Sequence, residues 1–112
     1  MIGIRLEQKG QTYYFQPLEG KRKQLVMYLL EELGINQENI KVCYQLEVLR
    51  IVKKDFGKSC AVIAACVCEN YDEDEMIALS SAIVKENDKA GVAAALIYIL
   101  AYHLTLGRED LS

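Results

Sequence analysis

One histidine, His103, serves all 112 residues. Hydrolytic and acyl-transfer chemistry wants a nucleophile, a base and a group that orients the base. His103 lies inside an apolar stretch, where a hydrogen-bonded core imidazole is the simpler reading. The four cysteines, Cys43, Cys60, Cys66 and Cys68, lack the paired C-x2-C spacing of a zinc site. A thiolate nucleophile at Cys66 or Cys68 needs that histidine or another cation beside it, and the spacing supplies neither. Residues 56–59 (FGKS) echo the end of a phosphate-binding loop, but Val52 stands where its first glycine belongs. Residues 69–75 (ENYDEDE) are rich in carboxylates without the central glycine and terminal glutamate of a calcium loop. No catalytic residue, metal or cofactor is expected.

The opening residues, MIGIRLEQKGQTYYF, also lack the basic start, apolar middle and small-residue cleavage site of a secretory leader. The cysteines are therefore expected as free thiols in a reducing cytoplasm, and their Ala, Val and Ile neighbours in SCAVIAACVCEN mark them as small core hydrophobes. Charge is missing from residues 90–106, seventeen in a row. That length is at the short edge of a bilayer span. Tyr98, Tyr102, His103 and Thr105, five alanines and acidic flanks make the transfer energy weak and give no positive-inside signal. A central core helix is expected instead, and no membrane partner.

What is present is ordinary globular composition, 52% apolar and 26% charged, in a length that suits one domain over residues 1–112. The net charge of −3 is unevenly spread: residues 1–68 carry +3 and residues 69–112 carry −6. Such polarity can steer a partner or a second copy of the same chain. Its candidate contact regions are a basic cluster, Lys21, Arg22 and Lys23, and an acidic one, Asp72, Glu73, Asp74 and Glu75.

Ile2, Ile4 and Leu6 alternate with polar or small residues, a turn follows at Gly10, and Tyr13 and Phe15 resume the alternation as far as Pro17. That pattern predicts a β-hairpin. Leu25, Leu29 and Leu33, with Val26 and Leu30, then predict a helix closed by Gly34. A second helix is expected from about Asn36, with an apolar band wide enough for a central position, ending at Gly57. The run SCAVIAACVC could be a buried strand, but its small residues and Ser59 as an N-cap favour helix. Asp72 with Glu75 resembles an N-terminal capping arrangement, and Asp88 is expected to cap the last helix, which Gly107 closes. The fold class that follows is α+β, predominantly helical: an N-terminal β-hairpin followed by four or five packed α-helices.

The function expected from these features is that of a small non-catalytic interaction or regulatory protein, of bacterial or phage type by size and composition, acting through another protein. Self-association as a homodimer is also expected. The last helix is apolar on every side, and Gly91, Ala95, Tyr98 and Tyr102 form an edge where a second copy can approach closely. The alternative is a helix-turn-helix regulator built on residues 25–48. There the glycine turn separates two helices, Gln37, Asn39, Lys41 and Gln45 would face DNA, and Lys21 to Lys23 would meet phosphates.

Overall fold

The apolar run at residues 59–68, readable as strand or helix, folds as helix: residues 59–67 form the inner part of α3 (Phe56–Val67), and Cys68 caps its end. The computed structural model describes residues 3–5, 12–35 and 45–101. Eight of the twelve α3 residues are buried, among them Cys60, Val62, Ile63 and Cys66, which identifies the helix at the centre of the core. Its small alanines and cysteines let neighbours close in from several sides. Around it stand α1 (Gly20–Glu32), α2 (Gln45–Lys54), α4 (Glu73–Glu86) and α5 (Lys89–Ile99), each in contact with α3.

The chain is predominantly helical. Two three-residue segments, β1 (Gly3–Arg5) and β2 (Thr12–Tyr14), pair antiparallel with Ile4 opposite Tyr13. A ladder that short forms no sheet layer able to share the core, so the α+β class gives way to a helical one. The turn expected at Gly10 falls outside the described residues. After β2 the chain runs extended over the end of α3, where Phe15 is buried and stacks on Tyr98 of α5 with ring centroids 5.5 Å apart.

The helix ends show how local chemistry sets the boundaries. Gly34 takes φ +84°, its N–H donates to Glu31 O, and the Ile35 N–H reaches back to Leu30 O at 2.8 Å. These two bonds are the Schellman closure, and its accompanying apolar contact is met by Leu30 and Ile35, both fully buried. Asp72 and Asp88 cap α4 and α5 as expected, accepting from the Glu75 and Gly91 N–H groups. The α2–α3 boundary differs from the expectation. Asp55 is the N-cap of α3, accepting from the Lys58 N–H at 3.1 Å, while Gly57 and Ser59 lie inside the first turn. The carboxylate of Asp55 competes well for the cap, and Ser59 instead donates its hydroxyl to Asp55 O at 2.8 Å.

Two further expectations are corrected by burial. Neither α2 nor α5 is the central helix. In α2 only Val48 and Val52 are buried, Leu46 is 81% exposed, and Phe56 belongs to α3. In α5, Val92, Ala93, Ala95, Leu96 and Ile99 are buried, whereas Ala90, Gly91 and Ala94 are exposed. A face of alanine and glycine exposes little apolar area, so α5 can leave it wet.

Candidate interaction surface

Helix α1 carries two apolar rows. Val26 and Leu30 point into the core, while Leu25 and Leu29, four residues apart on a neighbouring row, are only half-buried. Helix α4 does the same: Ile83 is buried, and Ile77 and Val84 are exposed at 58% and 39%. Since α1 and α4 both pack on α3, the outer rows face each other across it. They wall a groove of about 300 Å³ whose floor is Ala61 and Ala65 and whose sides are Leu25, Leu29, Met76 and Ile77. Ser80, Ser81 and Glu73 complete its lining.

The direction of the two walls follows from their contacts with α3. Arg22 at the start of α1 donates to Ala65 O near the end of α3, and Glu32 at the end of α1 lies 3.5 Å from Lys58 near the start of α3. Helix α1 is thus antiparallel to α3. So is α4, which follows α3 after the short link 68–72. The two walls are therefore parallel. At the C-terminal end of α1, the Tyr28 hydroxyl and then the Lys58 ammonium hold the Glu32 carboxyl below its ordinary value.

The structure separates the residues of the two charged clusters. Arg22 is buried, bonded to Ala65 O and 5.9 Å from the centre of the Tyr71 ring, so it is a core-facing residue and not part of a basic surface. Lys21 and Lys23 are exposed, but two helix positions apart means about 200° of rotation, which turns them away from one another. Asp72 is a cap. Glu75 faces the Cys68 thiol, Glu73 lines the groove, and Asp74 is exposed. Along the α5 edge, Ala95 is buried and Tyr98 is stacked on Phe15, leaving Gly91 exposed, while Tyr102 lies outside the described residues. Of the residues in the DNA reading, Gln45 is exposed at the start of α2, and Gln37, Asn39 and Lys41 lie outside the described residues. His103 and Cys43 do as well.

The buried thiols are poorly suited to nucleophilic chemistry. Burial pushes Cys60 up to about 11 and Cys66 up to about 12, the nearby Arg22 only partly opposing it at Cys66. Cys68 lies by a polar crevice with Asn70 and Glu75, donating to Asn70 O at 3.1 Å. Burial and then the Glu75 carboxylate push its thiol up too. A catalytic cysteine needs the opposite shift. Among the described residues no cluster of three or more potential metal ligands occurs, and no helix is long and apolar enough to cross a membrane.

The groove is the feature that sequence reasoning missed. Its signal was present as the second apolar row of α1, since one core contact does not use Leu25 and Leu29 as well as Val26 and Leu30. Comparison with family models, with curated proteins and with solved structures gives no match.

Proposed function

We propose that the chain is a small non-catalytic interaction or regulatory protein, of bacterial or phage type, that acts in the cytoplasm through protein–protein contacts. The observation that carries this reading is the α1–α4 groove, lined by Leu25, Leu29, Met76 and Ile77, with Ile77 58% exposed. Large apolar side chains grouped beside a trough of small ones fit a surface that a partner covers. The test is affinity capture from the native host with the wild-type chain and with Ile77→Asp, each first shown to melt at the same temperature. A partner identified with the wild type and lost with the variant supports the reading. A partner retained equally by both overturns it for this groove.

A second reading, a helix-turn-helix regulator over residues 25–48, is favoured by the left-handed Gly34 and the buried Leu30–Ile35 contact beside it. Its phosphate contacts are reduced to Lys21 and Lys23, since Arg22 is engaged elsewhere. Retention on duplex DNA that falls steeply with salt supports it, and no retention at low salt dismisses it.

A further inference from the structure

We infer that the occupant of the α1–α4 groove is a second copy of this chain, paired about a two-fold axis. This rests on the groove being an interaction surface and names what it binds.

Charge at the four corners of the groove points to self-pairing. On the α1 wall, Lys21 precedes Leu25 by four residues and Glu32 follows Leu29 by three; Lys58 lies between Glu32 and Asp55, so a basic group stands at the near end and a net acidic cluster at the far end. On the parallel α4 wall the order is inverted: Glu73 lines the near end, and Lys85 follows Ser81 by four residues at the far end. The corners alternate in sign around the trough. A two-fold axis along the groove sets each α1 wall on the α4 wall of the other copy, so Lys21 faces Glu73 and Glu32 faces Lys85. A two-fold axis across the groove sets like walls antiparallel, so Lys21 faces Glu32 and Glu73 faces Lys85. Either way every corner meets the opposite charge. A partner surface of one sign would gain at two corners and lose at the other two.

Apolar content and size agree with this. Tyr28, Ile77 and Val84 are three of the six exposed large hydrophobic residues among those described; all lie on α1 or α4, and Ile77 lines the groove itself. The Ala61–Ala65 floor leaves room for them. Helices of 13 and 14 residues are ~20 Å long. Side by side, they offer a face suited to the roughly 600–800 Å² per partner of a small stable interface.

Sedimentation equilibrium of the full chain over a micromolar range tests this, with three variants. Wild type is expected as a dimer. Ile77→Asp, at an exposed position, is expected to keep the melting temperature and weaken the dimer by about tenfold or more. Glu73→Lys is expected to weaken it as well. Adding Lys21→Glu restores it if the axis runs along the groove, and adding Lys85→Glu restores it if the axis runs across. A wild-type monomer overturns the second-copy inference while leaving the groove open to the host partner that the capture experiment seeks. A dimer unaffected by Ile77→Asp, or one weakened by Glu73→Lys but restored by neither reversal, places the contact elsewhere and overturns it too.

Discussion

Arg22 Nη1 donates to the carbonyl oxygen of Ala65 at 2.6 Å, joining the first turn of α1 to the last turn of α3. It is one of three contacts that satisfy successive carbonyls there. The Cys68 N–H takes Ala64 O at 3.0 Å and the Gln16 N–H takes Cys66 O at 2.9 Å. Ala64 O thus keeps an i−4 partner, whereas Ala65 O and Cys66 O lie past the last helical N–H, and a buried carbonyl there must find a donor elsewhere. The pairing also explains an odd feature of α1, which begins with Lys21, Arg22 and Lys23 and ends with Glu31 and Glu32. That order opposes the dipole of α1 itself. It suits the antiparallel α3, whose negative end receives Arg22 and whose first turn supplies Lys58 to Glu32.

Arg22→Met should therefore destabilise the fold by about 2 kcal/mol, through the lost charged hydrogen bond and the carbonyl left bare. Urea unfolding measures this. An unchanged midpoint would show that Ala65 O is satisfied by other means.

Two glycines should respond in opposite directions to alanine. Gly34 has φ +84°, so Gly34→Ala should cost about 1 kcal/mol although nothing crowds the position. Gly57 has no such φ and open space for a Cβ, so Gly57→Ala should gain about 0.5 kcal/mol in the first turn of α3. Equal effects at the two sites, read by thermal melting, would contradict the assigned helix ends.

The caps give a similar contrast. Asp72→Ala should lose about 1 kcal/mol, because its carboxylate accepts from the Glu75 N–H. Asp74, exposed two residues further on, should tolerate alanine within about 0.5 kcal/mol. Matching losses at both positions would mean that the acidic run acts as a whole and not through one cap.

Burial of the thiols makes stability depend on alkaline pH. Cys60 and Cys66 are pushed from about 9 up to about 11 and about 12. As pH rises past 9 the unfolded chain releases these protons before the folded one does, so unfolding is increasingly favoured. The contribution is whole below pH 9 and is lost as pH approaches 12. A urea midpoint that stays flat from pH 8.5 to 10.5, as a rough experimental window, would contradict the burial.

Much of the fold was legible in the sequence because local chemistry decided it. Asp72, Asp88 and Gly34 mark helix ends with side chains or φ values that need no tertiary context. The choice of central helix was not local. Residues 90–106 look more apolar than α3, yet alanine and glycine can face water at little cost, while the Val, Ile and Cys of α3 are enclosed by four neighbours. The charged clusters misled for a related reason. Arg22, Lys21 and Lys23 are alike in sequence, and only the approach of α3 separates the buried one from the exposed pair. The groove depends on two helices far apart in sequence sharing one support, which no single periodic pattern contains.

Hydroxyl-radical footprinting of the assembled protein, with its own copy or with a host partner, tests most directly whether the α1–α4 groove is the contact surface. Met76 lines it, Tyr28 is 58% exposed on α1, the helix that forms its other side, and Tyr14, 46% exposed on β2, lies apart from both. Assembly should protect Tyr28 and Met76 together and leave Tyr14 as reactive as in the free chain. Protection of Tyr14 with Tyr28 and Met76 unchanged would contradict the groove as the interaction surface.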